Sequence, residues 1–316
     1  MAKKLSKRKL KSQIRLVLTV ICLLLFVLFW LLDYFGIVTY RGVSQAVGLY
    51  DNTIAENLSG TVVHFIDVGQ GQCILISSGN QYMLIDAGEK EYSSKVVSYL
   101  NSLGVEKLDY VIATHPHSDH IGALSDIIKT FPVDTIIAPV IPDELVPTSD
   151  SYYNFLNAVK NNGKGLTKAV AGESYSLGDA VFTIVAPIKS VSDDLNNYSV
   201  VCVLRYGNNT ALFGGDASKD EENDILESGA DIDVDLLNVA HHGSSSSSTE
   251  KYLSAVSPEY CVIMCGADNP YGHPNSSTIE RLGLFTDNIY RTDFQGTIVC
   301  EMDGNGGYRF FSEKGE

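Results

Sequence analysis

Short apolar runs bounded by glycine, asparagine and serine recur along the chain from residue 60 onward. Residues 61–67, 73–76 and 82–86 are three such runs, separated by Gly69-Gln70-Gly71 and Ser78-Gly79-Asn80, which is the pattern of a strand meander. Residues 92–103 switch to helical spacing, with Val96, Val97, Leu100 and Leu103 on one face and Gly104 just beyond the end. Further strand-like runs follow at 109–113, 135–138, 181–186, 199–206, 211–215, 235–240, 260–265, 296–301 and 308–311. Helix-like stretches at 124–129, 151–160, 219–227, 249–256 and 277–284 are interspersed with them. This alternation predicts an α/β fold in which sheets are covered by helices in layers. No internal repeat at a fixed period is present.

One stretch has no polar face at helical spacing. The uncharged run 16–32, extended past Asp33 by residues 34–38, would cover about 25 Å as a helix over its first part. Flanking aromatics complete a hydrocarbon core of about 30 Å. A single transmembrane helix over 16–38 is therefore predicted. A cleaved signal peptide is the rival reading, but its apolar region is shorter and ends in an Ala-x-Ala-like site, which is not evident here. Lys3, Lys4, Lys7, Arg8, Lys9, Lys11 and Arg15 precede any acid, so the positive-inside rule makes residues 1–15 a basic cytoplasmic tail and puts the body outside the cell membrane. Residues 39–59, with weak periodicity and scattered Gly, Ser, Asn and Thr, read as a linker to a domain over 60–316.

Charge narrows the partners. The chain carries a formal −15 and its tail +7, so the remaining residues carry −22. Such a body has no general attraction for nucleic acid, whose binding rests on Lys and Arg at phosphates. A phosphodiester substrate would have to be held by metal ions and local donors. Of the six cysteines, Cys22 falls in the predicted span, and Cys73, Cys202, Cys261, Cys265 and Cys300 sit in apolar runs. They read as small buried hydrophobes.

The candidate chemistry lies with histidine. Six of the seven fall in three short motifs: His115, His117 and His120 in one loop, His241 and His242 before Gly243, and His273 in Tyr271-Gly272-His273-Pro274. His64 stands alone. Each motif follows a strand-like run beside glycine or proline, where loops present ligands from a rigid scaffold. An exposed loop that happens to be rich in histidine is the plainer alternative, and this clustering argues against it. Imidazole and carboxylate are ligands for zinc and similar divalent ions, and two ions roughly 3.5–4 Å apart can polarise an ester and activate water. Three acids also end apolar runs next to glycine: Asp67, Asp86 and Asp216. Asp216 is the choice for a bridging ligand, because two close cations need an anion between them. Asp86 is expected to accept a hydrogen bond from a ligating histidine. Asp67 is assigned the same outer role, with a strand-end turn residue as the alternative. The serine run 244–248 reads as a mobile loop at the rim of the site.

His115-Pro116-His117-Ser118-Asp119-His120 resembles the signature of the metallo-β-lactamase superfamily, and the order of Asp86, this loop, Asp216 and the late histidine pair is similar to that superfamily's motif order. The stretches 64–71, 237–244 and 269–274 resemble the hydrolase domain of the ComEC competence proteins, over roughly 60–312. The resemblance implies an αββα sandwich with metals at one edge between the sheets, here preceded by a transmembrane helix. Carried over by position, His115 and His117 hold the first ion, Asp119, His120 and His242 the second, and Asp216 both. His242 is preferred to His241 because Gly243 follows it. Asp119 also orients the attacking water, and His241 and His273 contact substrate oxygens, His273 as donor to the leaving group. The plainer reading of His273 is a turn residue.

Three departures from the family pattern stand out. No third histidine occurs in 196–199, Gln72 replaces the usual acid after Gly-Gln-Gly, and Ala123 replaces a glycine. The first disfavours β-lactam hydrolysis and leaves the first site richer in oxygen, which brings manganese into contention with zinc. The expected protein is thus a membrane-anchored, extracytoplasmic dinuclear metallohydrolase with two divalent ions, zinc first and manganese second. Its expected substrate is single-stranded DNA or another phosphodiester, as for a phosphodiesterase or nuclease. A non-catalytic metal-binding surface module is one alternative, which a ligand set with open positions disfavours. A lactonase or phosphocholine esterase is another. ComEC proteins carry many membrane spans and this chain one predicted span, so a role in DNA uptake does not follow.

Overall fold

The computed structural model describes residues 58–189 and 192–315, together with Arg15, Val17 and residues 19–21. The chain divides into two units, Met1–Thr53 and Ile54–Glu316. In the first, the few described residues are helical and exposed. The predicted cytoplasmic tail, transmembrane helix and linker otherwise lie outside the described residues. Among those described, no helix is long and apolar enough to cross a membrane.

The second unit is built on two mixed sheets. The first contains β1 (Thr61–Phe65), β2 (Ile74–Ser78), β3 (Gln81–Ile85), β4 (Leu108–Ile112), β5 (Val133–Ala138) and β6 (Thr167–Lys168). The second contains β7 (Ser174–Leu177), β8 (Ala180–Ala186), β9 (Val201–Tyr206), β10 (Asn209–Phe213), β11 (Leu236–Asn238), β12 (Tyr260–Ile263) and β13 (Ile289–Arg291), after which β14 (Ile298–Met302) and β15 (Tyr308–Ser312) return to the first. Their orders are β15-β14-β1-β2-β3-β4-β5-β6 and β13-β12-β11-β10-β9-β8-β7. Each sheet is antiparallel where hairpins connect neighbours and parallel where helices do, as from β3 to β5 and from β10 to β13. At the β2–β3 hairpin Ser78 faces Gln81, so the turn is the two residues Gly79-Asn80, with Gly79 at φ 57.

Alternation along the strands makes the layers. Phe65, Ile74, Ile76, Met83, Ile85 and Ile112 of the first sheet meet Phe182, Ile184, Leu204, Phe213 and Val262 of the second in one buried core. The alternate residues Leu75, Leu84, Val111 and Ile136 point the other way and are also buried. Helices α1 (Ser93–Ser102), α2 (Ser118–Ile121), α3 (Leu124–Thr130) and α4 (Asp150–Asn162) connect these strands, with Val96, Leu100, Ile127, Phe155 and Val159 buried. On the second sheet, Val203, Leu212, Leu237 and Ile263 pack with Ile225 of α5 (Lys219–Ser228), Leu253 and Val256 of α6 (Glu250–Val256) and Leu282 of α7 (Ser276–Leu282). The five body cysteines are free and buried, as expected of small hydrophobes.

Two readings need correction. The short edge strands β6, β7 and β13 were not expected from the apolar pattern, because each is half-exposed and lacks a sustained run. The serine run is a fastened loop, with Ser247 and Ser248 buried. Ser247 Oγ donates to the Ala217 carbonyl at 2.7 Å, and the Arg281 guanidinium donates to the carbonyls of Ser247 and Ser248 at 2.9 and 3.0 Å. Glu222 accepts from the backbone N–H groups of Ser248 and Thr249. These partners lie far away in sequence, which is why composition alone misreads the run.

Candidate metal centre

The parallel halves of both sheets direct their strand ends to one edge, and the candidate residues sit there. Past β4, the Ala113 N–H still donates to the Ile137 carbonyl at 2.9 Å, so the strand carries straight into Thr114 and His115. His117 is extended (φ −73, ψ 150) and precedes α2, whose single turn carries Asp119 and His120. The loop therefore splits its side chains into two groups. His115 and His117 join Asp216, and Asp119 and His120 join His242 and the same Asp216, the potential ligand atoms of each group lying within 4.8 Å of one another.

Hydrogen bonds outside these groups decide which ring nitrogen is free. His120 Nδ1 lies 2.7 Å from Asp86 Oδ2, an acceptor, and His242 Nδ1 lies 2.9 Å from the Met264 carbonyl. Each neutral ring thus donates on its outer side and turns an Nε2 lone pair inward. The two Nε2 atoms face each other at 3.3 Å, and Asp216 Oδ1 lies 3.1 Å from that of His120 and 3.6 Å from that of His242. Asp119 Oδ2 is 3.3 Å from His242 Nε2. In the other group His115 Nε2 is 2.9 Å from His117 Nδ1 and 3.7 Å from Asp216 Oδ2. Asp216 Oδ1 is buried without a hydrogen-bond partner among the described residues.

Such a set of converging acceptors is unstable without positive charge among them. Ligand atoms about 2.1 Å from a tetrahedral ion stand about 3.4 Å apart, close to the spacings here. The donors present therefore fit two divalent ions sharing Asp216. The electrostatics agree. Burial opposes a charged His120, yet Asp216, Asp86 and Asp119 together raise its pKa well above the usual value, so a proton and a metal compete for its Nε2. His115 lacks that excess of carboxylate, and burial followed by the nearness of His120 holds its pKa well below. Burial also opposes ionisation of Asp216, but His120 and His242 outweigh it and keep the carboxylate charged.

Asp86 is bonded to His120 as an outer partner would be. It is fully buried at φ 56, and besides His120 it accepts from the Thr114 N–H at 2.9 Å, the Thr114 hydroxyl at 2.6 Å and Gln72 Nε2 at 3.0 Å. The glycine before Gln72 explains part of the Gly-Gln-Gly motif. A Cβ on Gly71, at φ 152, would stand 2.5 Å from the Asp119 carbonyl oxygen. Only glycine lets this turn press against the ligand loop. Asp67 belongs to a different arrangement: it accepts from the Gly69 N–H at 3.0 Å and pairs with Lys95 at 3.5 Å, and among the described residues it makes no contact with a ligating histidine. His64 lies away from the site, bonded through Nδ1 to the Tyr99 hydroxyl at 2.9 Å.

The late histidine pair is held in an uncommon conformation. His241 and His242 are both left-handed, at φ 54 and φ 55, a strained arrangement for two consecutive non-glycine residues. The His241 N–H to Gly215 carbonyl bond, 2.9 Å, and the Ser244 N–H to His241 carbonyl bond, 2.8 Å, over-determine it. The twist sends the rings different ways. His242 enters the ligand group buried, whereas His241 stays half-buried with Nε2 3.7 Å from Asp216 Oδ2 and Nδ1 3.2 Å from Ser246 Oγ. The His273 ring is 5.6 Å from that of His241 and stacks with exposed Tyr271 at 5.7 Å. Together with Gln70, Asn196, His117, Asp119 and Asp216, these side chains line a cleft of about 330 Å³. Thr114, Gln72, Gln70, Tyr271 and Asn196 were not assigned roles from sequence. Thr114 and Gln72 directly adjoin motif residues, which is the only local signal they carry.

A fold of two sheets with this ligand set places the molecule in a known family. The chain belongs to the metallo-beta-lactamase superfamily, whose model matches residues 66–266. Proteins of this superfamily are usually metal-dependent hydrolases, and the fold typically binds two divalent metals. The chain is similar to ComE operon protein 3 of Bacillus subtilis, 28% identical over 254 residues that cover 75% of this chain and 32% of that protein. It is also similar to competence protein ComA of Neisseria gonorrhoeae, 28% identical over 291 residues that cover 88% of this chain and 37% of that one. These relatives are of the competence-related ComEC type that the motifs resemble, and the chain spans about a third of their length. Among solved structures it is similar to the E377D mutant of the CmlA beta-hydroxylase of Streptomyces venezuelae, with a TM-score of 0.49 and 13% identity over 82% of this chain and 58% of that one.

Proposed function

We propose that this protein is a dinuclear metallohydrolase that cleaves phosphodiesters, anchored by residues 16–38 with its catalytic domain outside the cell membrane. One observation carries the reading: two ligand groups share Asp216 at an open cleft whose walls hold two further histidines, His241 and His273, that neither group uses. His115, His117 and Asp216 would hold one ion and Asp119, His120, His242 and Asp216 the other. Bound there, divalent ions supply Lewis acidity toward the ester and lower the pKa of water.

The chain's own residues supply the rest. Burial is the largest influence on both His241 and His273 and lowers their pKa, so both rings are neutral at neutral pH and can each donate one N–H. Ser246 steadies the His241 ring through Nδ1. The His273 backbone is gripped by Asn269, which accepts from its N–H at 3.0 Å and donates to its carbonyl. The His273 Nδ1 is buried without a partner among the described residues. A neutral imidazole so placed can give a hydrogen bond to a phosphoryl oxygen and a proton to the departing alkoxide. Two cations and two imidazole donors match the four oxygens of a tetrahedral phosphodiester better than the single planar carbonyl of a lactam or lactone. Tyr271, stacked on His273, offers a flat face at the rim for a base or an aryl leaving group.

The formal −22 of the body argues against a tight hold on long polyanions. Metal-loaded full-length protein in detergent should therefore hydrolyse bis-p-nitrophenyl phosphate, act modestly and with weak salt dependence on single-stranded DNA, and leave β-lactams intact. A chelator should abolish the activity. Efficient β-lactam turnover without phosphodiester cleavage under zinc or manganese would overturn the assignment. For the topology, protease added to intact cells should degrade the domain, and its full protection would refute the outward orientation.

A further inference from the structure

We infer that Asn196 completes the first metal centre through its side-chain carbonyl. The inference rests on the dinuclear reading above and concerns the site that is one donor short. The His120 group brings four side chains together, whereas the His115 group brings three. Asn196 lines the same cleft as His117 and Asp216. Its Oδ1 is buried and has no hydrogen-bond partner among the described residues. An amide oxygen left so loses its hydration without a replacement, a penalty that a bound cation would offset.

The segment carrying Asn196 is fixed in place from several sides. Residues Leu195–Tyr198 form one 3₁₀ turn, capped by Asp194 Oδ1, which accepts from the Asn196 N–H at 3.0 Å. Directly after the turn, Ser199 Oγ accepts from the N–H of the shared ligand Asp216 at 3.1 Å, and the Val200 N–H donates to the Thr114 carbonyl at 2.9 Å. The turn is thus tied to both ligand-bearing loops at once. The neighbouring amide makes the contrast clear. Asn197 Oδ1 accepts from the Ser218 hydroxyl and its Nδ2 donates to Ser192 Oγ, so Asn197 has its own partners whereas, among the described residues, Asn196 Oδ1 has none.

An amide oxygen beside two imidazoles and a carboxylate makes a neutral, harder fourth donor than a third imidazole would. Such a set relaxes the preference for zinc and admits manganese. Metal binding to full-length protein, stripped and then titrated with Zn²⁺ or Mn²⁺ by calorimetry and followed by Mn²⁺ electron paramagnetic resonance, tests this without any substrate. Asn196→Ala should weaken one of the two ions by roughly tenfold or more and leave the other within about twofold. Asn196→Asp, which keeps an oxygen donor, should restore binding, and Asn196→His should tighten zinc relative to manganese. Unchanged affinity for both ions in Asn196→Ala would overturn the inference, as would an equal loss at both that tracks a lower melting temperature of the metal-free protein. Binding of fewer than two ions by the unaltered protein would instead overturn the dinuclear reading itself.

Discussion

Replacing Asp86 by asparagine changes one atom and removes one charge, and the hydrogen bonds around the carboxylate determine the consequence. All four contacts to it come from donors: the Thr114 hydroxyl, Gln72 Nε2 and His120 Nδ1 at Oδ2, and the Thr114 N–H at Oδ1. An asparagine amide has one accepting oxygen. With its NH₂ at the Oδ2 position it would confront three donors, so the amide must place NH₂ at Oδ1 and confront only the Thr114 N–H. That leaves the buried Thr114 N–H and the new NH₂ facing each other, both unsatisfied, at a cost of about 1–3 kcal/mol for each. The His120 ring keeps a neutral acceptor but loses its anionic one, and its Nε2 becomes a poorer ligand. Loss of such a partner typically weakens metal binding by roughly 10–100-fold. His115 reaches Asp86 only through Thr114 Oγ1, at 3.2 Å, so its centre should be affected less. The assay is a competition titration of Asp86→Asn against a chromogenic chelator, with urea unfolding of the metal-free protein alongside. Retention of both affinities within about twofold, or equal losses at both centres, would refute the proposed role of Asp86 as the orienting partner of His120.

Two further predictions concern ions and pH. Stripping divalent ions should lower the melting temperature, and restoring Zn²⁺ or Mn²⁺ to about 100 times its Kd should recover about 2.7 kcal/mol per site; an unchanged melting curve would mean that the folded state binds neither. Burial lowers the pKa of His64 from 6.5 to about 3. Above pH 6.5 neither the folded nor the unfolded chain holds that proton, but below it the unfolded chain binds a proton that the fold refuses. Stability should therefore fall by roughly 1.4 kcal/mol per pH unit from this group, the loss levelling off near pH 3. Urea melts of His64→Gln between pH 7 and pH 5 should show a shallower decline than the unaltered protein, and parallel declines would refute the assignment.

How far the site could be read from the sequence depended on whether a residue's partners lie nearby in the chain. The six candidate ligands were legible because imidazoles and carboxylates occur at short spacing after apolar runs, and the fold draws these same six side chains into two groups that could hold metal ions. The strands of the two sheets were legible wherever both faces are buried, as in β2 and β3. Three of the four edge strands, β6, β7 and β13, were not, since exposure removes the apolar signal, whereas the fourth, β15, keeps an aromatic run. Asp67 and Asp86 show the limit most clearly. Both stand in an Ile-Asp-x-Gly context at the end of a first-sheet strand. Asp86 faces Thr114 and His120, whereas Asp67 turns to Lys95 on α1 and to its own Gly69 N–H. The difference lies in strand order: β3 borders β4, which carries the histidine loop, while β1 lies between β14 and β2. Here the acid that meets His120 comes from the strand paired with the one leading into the histidine loop. Local sequence cannot distinguish the two positions, and sheet topology can. Asn196 obeys the same logic, because a turn asparagine is ordinary until Asp216 and Thr114, supplied by two other strands, fix it against the cleft.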